Sequence, residues 1–356
     1  MTKIESFLNK FPSNHTKAVY KSFLKKYFEL LKIDPEKYIS KNRDYKKDIE
    51  LFLKSLNGRP PLTIRCSISC IKTFLSENDV DFKEKYWKNI SKRIQGSRPW
   101  TEKQVPTPNQ LKRILTHGDA RARSFFLTLL SSGMRIGELC QITKNDLHLD
   151  EKPPRIRIHG KYTKSGDARN TFITDEARNS LEAWLKIRKN YLKKNAELLN
   201  ARFDHYKISV DDNRVFPFEP QAGRTMWNRM VKNSELFEID ESTNRLKMNV
   251  HSLRTFFRTK LGDVIKTDVI EELMGHEGYL TGSYRDYDLN TLGENYIKGS
   301  HKLLIFETIA DLSDVHEELK EKDKELKDIK HEMEIMRRQM NQLMTDKLIE
   351  LDKRKK

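Results

Sequence analysis

Arg135 in GMRIGEL, Lys164 in KYTKSGDARNTFI, His251 and Arg254 in HSLR, and His276 in MGHEG follow one another along the chain, with tyrosines close behind. In this order they form the set needed to work on a phosphodiester. That linkage is a stable anion, so breaking it at neutral pH takes charge neutralisation, a nucleophile and a proton for the leaving 5′-oxygen. Arginine offers a planar fork that binds two phosphate oxygens at once, and two arginines from separate segments can grip one phosphate from two sides. Arg135 and Arg254 are the candidates for that grip. A tyrosine phenol can attack phosphorus and hold the energy of the broken link in a covalent bond, with no ATP.

Each residue also has a plainer reading. Arg135 follows an apolar helix and a glycine, a junction that can present a side chain to a cleft, yet isolated arginines there are commonly surface groups. Glu138, three residues on, can orient Arg135 or a neighbouring basic group, or form an ordinary helix-end ion pair worth under about 1 kcal/mol. Lys164 sits on a turn, from which it can donate a proton to a leaving oxygen; Lys161 competes for that role, and most turn lysines are simply solvated. His251 and Arg254, three apart on a predicted helix, share one face. The apolar Leu253, Phe256, Phe257 and Leu261 would turn that polar pair away from the core. His276 can donate to a phosphate oxygen or merely cap a helix end. Tyr279, Tyr284 and Tyr287 are the available phenols, and tyrosine is often a core-edge residue.

These residues need elements to hold them. The fold class expected is mainly α with a small β-sheet or hairpin, an α+β catalytic domain. SNHTKAVYKSFLKKYFELL places Val19, Phe23, Tyr27 and Leu30 at helical spacing, and further helices are expected over about 44–56 and 61–77, the latter opened by Pro60 and Pro61. Residues 1–95 therefore read as an all-helical, basic module suited to DNA phosphates. Helical periodicity stops at GSRPWTEKQVPTP, which makes 96–107 the expected linker, with a new helix opening at Thr107–Pro108. The domain expected over 108–300 begins with an apolar helix ending near Gly133. Alternating residues on both sides of KSGDAR predict two strands around a turn, and helices are expected over 175–199, 221–235 and 251–262. A short helix in VIEELMGHEG is stopped by glycine. In 301–356, Leu312, Val315, Leu319, Lys322, Leu326, Ile329, Met333, Met336, Met340 and Leu343 form an a/d seam that predicts a C-terminal coiled-coil helix, available for self-association.

Composition agrees with a polyanionic partner. The 356 residues carry 68 Lys+Arg against 52 Asp+Glu, a formal net charge of +16, which favours nucleic acid. No run of about 18 apolar residues is present, and no secretory signal opens the sequence; a cytoplasmic, nucleoid-associated enzyme is expected. Cys66, Cys70 and Cys140 are too few for a disulfide framework. Cys66 and Cys70, one helical turn apart, read as two buried small residues rather than a metal site.

The ordered set Arg135–Lys164–HxxR–His276–Tyr resembles the tyrosine recombinase (phage integrase) family. GMRIGEL looks like the family's first arginine box, with Arg135 and Glu138 at its arginine and acidic positions; KSGDARNTFI is similar to its β-hairpin, with Lys164 in the lysine role; HSLR supplies His251 and Arg254; and LMGHEG supplies His276. The tyrosine often lies nine residues after the box histidine. Here that position is Arg285, and Tyr284, at eight, is taken as the nucleophile ahead of Tyr287 at eleven. The N-terminal helices fit the family's core-binding domain in position and character, whereas the coiled-coil tail departs from the usual pattern. The resemblance implies a clamp around double-stranded DNA, a 3′-phosphotyrosine intermediate, and four protomers on two paired duplexes, with no metal, nucleotide or other cofactor. A type IB topoisomerase-like strand transferase shares the chemistry and is the first alternative. A catalytically silent DNA-binding architectural protein is the second.

Overall fold

Ser13 accepts a hydrogen bond from the Thr16 N–H and opens a helix that runs to Leu31, where Lys32 turns into the left-handed region. Such local start and stop chemistry recurs along the chain. The computed structural model describes residues 2–39, 42–200, 209–275 and 287–306, with Met333 and, in 198–200, the backbone alone. The chain divides into two units, Met1–Glu102 with Ile239–Lys247, and Lys103–Glu238 with the residues from Met248 onward.

The first unit is helical: α1 (Lys3–Asn9), α2 (Asn14–Leu31), α3 (Tyr45–Ser55), α4 (Pro61–Ser76) and α5 (Glu84–Arg93). Its core is rich in rings, with Phe7, Tyr27, Phe28, Phe52, Phe74 and Trp87 all buried. Most ring pairs meet edge-on at about 5 Å, as between Tyr27 and Phe52 at 5.0 Å and 83°, the arrangement that aromatic quadrupoles prefer. A polar string crosses this core. The Tyr27 and Tyr38 hydroxyls lie 2.5 Å apart, and Tyr38 donates to Asp48 Oδ2 at 3.1 Å. Arg43 then closes on the same carboxylate from Nε at 2.7 Å and Nη2 at 3.2 Å.

Between the end of α5 and the start of α6 (Pro108–Thr116) there is neither helix nor strand. Part of that stretch is pinned by a short hairpin, β4 (Ile239–Asp240) and β5 (Arg245–Leu246). Asp240 accepts the Glu102 N–H at 2.8 Å, and Thr101 meets Thr243 hydroxyl to hydroxyl at 2.9 Å.

The second unit is built round α7 (Ala120–Ser132), buried along its whole length from Ser124 to Ser132. It packs against α9 (Asp175–Asn200) and α11 (His251–Gly262). On another side lies an antiparallel sheet, β1 (Leu147–His148), β2 (Arg155–Ile158) and β3 (Arg169–Phe172), in the order β1-β2-β3, with Ile158 opposite Arg169 at the loop end of the β2–β3 pair. Short α8 (Ile136–Leu139), then α10 (Pro220–Asn233), α12 (Thr267–Met274) and α13 (Leu289–Ser300) complete it. Two indole N–H groups tie loops to this core: Trp184 donates to the Val215 carbonyl at 3.0 Å and Trp227 to that of Met248 at 2.8 Å.

The expected mainly helical class with a small sheet is the class observed. Two expectations need correction. Cys66 is exposed and only Cys70 of that pair is buried, because α4 turns the Cys66 side away from the core. Arg254 does not point away from the core; it is 3% exposed. Burial also pushes the thiols of Cys70 and Cys140 up to about 12, which leaves both poor nucleophiles. The coiled-coil seam lies almost wholly outside the described residues. No helix among the described residues is long and apolar enough to cross a membrane.

Candidate active site

Gly133 ends α7 with φ +64°, its N–H returning to the Leu129 carbonyl at 3.1 Å. A Cβ at this position would lie 2.5 Å from the Phe257 ring. Glycine is therefore needed twice over, for the left-handed turn and for the close approach of α11. That approach lets Arg254, one turn before Phe257 on α11, donate from Nη1 to the Gly133 carbonyl. Two residues after the glycine the chain opens α8. Glu138 reaches back to accept the Arg135 N–H at 2.8 Å and Arg135 Nη1 at 2.9 Å. The i,i+3 spacing within GMRIGEL thus fixes both ends of one carboxylate.

The other partner of Glu138 comes from the sheet. Arg169, the first residue of β3, places Nη2 2.6 Å from Oε2 and Nη1 3.2 Å from Oε1. Burial by itself would raise the Glu138 carboxyl; the hydrogen bonds and charge of Arg169, with those of Arg135, overcome it and hold the group below its ordinary value.

All three arginines end on one feature, the C-terminus of α12. Arg169 Nε donates to the Leu273 carbonyl at 3.2 Å, and Arg254 Nη2 to that of Met274 at 2.7 Å. Arg135 Nη2 makes a longer 3.5 Å contact with the Gly275 carbonyl. The last carbonyls of a helix have no partner within it and carry the negative end of its dipole, so three consecutive acceptors make a socket for cations. Gly275 ends the helix at φ +64°, and a Cβ there would lie 2.7 Å from Arg169 Nη1.

The cluster is not electrically balanced. Among the described residues these three guanidinium groups have one hydrogen-bonded carboxylate, Glu138, held by Arg135 and Arg169, and nearby Glu271 pairs with Arg258 at 2.6 Å. Burial, together with the neighbouring charges of Arg135 and Arg169, lowers Arg254 to about 10. Its Nε is buried and has no hydrogen-bond partner among the described residues. A site with surplus cations, a fork left partly unused and a half-exposed Arg135 is suited to an oxyanion.

The remaining candidates fall as follows. His251 is exposed at the first turn of α11, its N–H on Asn249 Oδ1 at 2.9 Å. Lys164 is exposed at the tip of the β2–β3 loop and makes no hydrogen bond or ion pair among the described residues. That loop is closed beneath it by Thr163, whose hydroxyl lies 2.9 Å from the Gly160 carbonyl and accepts the Gly166 N–H at 3.0 Å. Lys161 lies over the Tyr162 ring at 5.0 Å. Tyr287 is half-buried, next to Asp288, which caps α13. His276, Tyr279 and Tyr284 lie outside the described residues. Arg169 was missed by sequence reasoning: it reads as one of several basic residues around a turn, and its strand position alone gives no hint of Glu138.

Comparison with known proteins supplies the family. Residues 104–287, more than half of the sequence, match the Phage integrase family. The chain is 27% identical over 335 residues to a protein named tyrosine recombinase XerC from Thermodesulfovibrio yellowstonii, covering 84% of this chain and 96% of that one. Two solved structures share the fold. The Tn1549 transposon integrase in complex with circular intermediate DNA gives a TM-score of 0.54 at 19% identity, covering 82% of this chain and 97% of that one. A lambda integrase tetramer bound to a Holliday junction gives 0.52 at 15%, covering 80% and 79%. The arginine cluster lies within the matched span, and the chain belongs to the phage integrase family, the tyrosine recombinases.

Proposed function

We propose that this protein is a site-specific DNA recombinase that cuts and rejoins strands of duplex DNA through a 3′-phosphotyrosine intermediate. The observation that carries the reading is the surplus of positive charge at the socket, buried Arg169 and Arg254 with half-exposed Arg135 against Glu138, and an Arg254 Nε that has no partner among the described residues. Such a site is costly when empty and is relieved by an anion. Arg135 and Arg254 hold the non-bridging oxygens of the scissile phosphate and offset charge as it develops in the transition state. The Tyr284 phenolate forms the new P–O bond as the bond to the 5′-oxygen breaks. Lys164 delivers the proton that the 5′-oxygen needs, and His251 and His276 hydrogen-bond the phosphate or relay the proton. Attack by the 5′-hydroxyl of a partner strand runs the same step backward.

In this reading residues 1–95 grip DNA, residues 108–300 carry the chemistry, and 96–107 connect them. The relative from Thermodesulfovibrio is named a tyrosine recombinase, and the lambda integrase with the same fold is a tetramer on a Holliday junction. Both favour strand exchange by a tetramer on paired sites over relaxation of one duplex, in the cytoplasm at the nucleoid. The heptad pattern over 311–351 is a further means of self-association; deleting 311–356 should lower the oligomeric state, and an unchanged state would reject that role.

The test uses a pool of nicked duplexes of randomised sequence, in which the broken strand diffuses away and traps the covalent adduct. Wild-type protein and Tyr287→Phe are expected to yield adduct, and Tyr284→Phe none. Adduct from Tyr284→Phe at the wild-type level would remove Tyr284 from the role. No adduct from any form would overturn the reading.

A further inference from the structure

Arg169 is a buried cation that the chemistry above does not use. It is 9% exposed, and all three of its donor nitrogens are engaged. Two hold the Glu138 carboxylate and the third holds the Leu273 carbonyl. It therefore spends its whole fork on the two supports of the phosphate-binding arginines. Glu138 fixes Arg135 by its backbone and by its guanidinium. The turn that begins at Leu273 supplies the Met274 and Gly275 carbonyls on which Arg254 and Arg135 rest. The packing has no slack on the far side, because the Arg169 guanidinium lies against the only face of Gly275 that a side chain would fill.

We propose that Arg169 is a positioning residue for strand cleavage: through Glu138 and the end of α12 it sets where Arg135 and Arg254 present their forks, and it never touches the DNA. Arginine suits this place because its planar fork holds both Glu138 oxygens with Nη1 and Nη2 while Nε serves the Leu273 carbonyl, a fixed geometry that a lysine ammonium does not offer. Lysine would keep the charge but lose the paired geometry. A small displacement of a phosphate-gripping group is costly, since about 1 Å at a reacting centre is worth roughly 100-fold in rate. The effect belongs to cleavage of bound DNA and not to affinity for DNA, which the many other basic groups of the chain supply.

This inference rests on the strand-cleaving reading, and the two can fail separately. Full-length wild-type, Arg169→Lys, Arg169→Gln, Glu138→Gln and the Arg169→Gln/Glu138→Gln double variant are compared on the nicked duplex recovered from the adduct pool. Cleavage is measured in a single turnover against DNA concentration. Arg169→Gln is expected to cut roughly 100-fold more slowly at saturating DNA, with half-saturation within about twofold of wild-type. Arg169→Lys should fall between the two. The double variant should be little slower than the worse single one, because both act on the same support. If Arg169→Gln does not fold, Arg169→Lys decides: a slower step at unchanged half-saturation supports the assignment. Wild-type rates in the folded Arg169 variants, or a loss confined to DNA affinity, would overturn it while leaving the cleavage reading in place. A wild-type protein that forms no adduct would instead sink the reading underneath.

Discussion

Two charged networks among the described residues, each centred on a buried carboxylate, differ in balance. In the first unit, Arg43 meets Asp48, Tyr38 donates to the same carboxylate, and Tyr27 meets Tyr38. One cation faces one anion. In the second unit, Arg135 and Arg169 share Glu138, these two and Arg254 meet at the end of α12, and Arg254 Nε has no partner among the described residues. A balanced network can be a device of folding alone, since removing either partner strands a buried charge. An unbalanced one works against folding until an anion arrives. The surplus of cations at the α12 socket, more than burial or the presence of arginine, is what the proposed phosphate site has and the network around Asp48 lacks.

That contrast can be broken at either end. The largest effect is expected at the socket. Arg254→Ala should slow adduct formation by about 1000-fold, the upper range for losing a charge-stabilising donor, and single-turnover cleavage on saturating nicked DNA measures it. In the first unit, Asp48→Ala should lower the free energy of unfolding by roughly 3 kcal/mol, because it leaves Arg43 and the Tyr38 hydroxyl without their acceptor. Urea denaturation reads that loss, and below the transition the cleavage rate on bound DNA should stay at the wild-type level. A cleavage defect as large as that of Arg254→Ala would erase the distinction between the two networks.

A smaller effect depends on pH. Glu138 is held below its ordinary value of 4.5 by Arg169 and Arg135. The folded protein thus binds that proton less readily than the unfolded chain. Its contribution is complete above that ordinary value and is lost as pH falls through the range below it. The stability gap between wild-type and Glu138→Gln should be widest near neutrality and narrow on acidification. A gap that widens toward acid would mean that the arginines do not pair with this carboxylate.

Much of the scaffold was legible in the sequence because its signals are local. Gly133 after an apolar run marks the end of α7, the alternation around KSGDAR marks β2 and β3, and Gly275 marks the end of α12. Arg135 and Glu138 were found because one short motif, GMRIGEL, carries both, and Arg254 because HSLR carries it. What escaped was non-local. Arg169 takes its meaning from Leu273, 104 residues away, and from a carboxylate 31 residues before it. The socket itself is made of backbone carbonyls, which every sequence has and none advertises. Arg254 was expected to face outward because Leu253, Phe256, Phe257 and Leu261 supply the apolar face of that helix; its burial is allowed by the Gly133 and Met274 carbonyls, which helical periodicity does not reveal. The hairpin at Ile239–Leu246 was likewise unreadable, since its strands are two residues each.

The claim at the centre is that Arg254, with Arg135, exists to neutralise one backbone phosphate. Single-turnover cleavage of a nicked duplex whose scissile linkage is either the natural phosphate or an uncharged methylphosphonate tests it directly, with wild-type protein and Arg254→Ala side by side. The neutral linkage needs no counter-charge, so the variant should recover most of its lost rate there relative to wild-type. An equal deficit on both linkages would contradict the account.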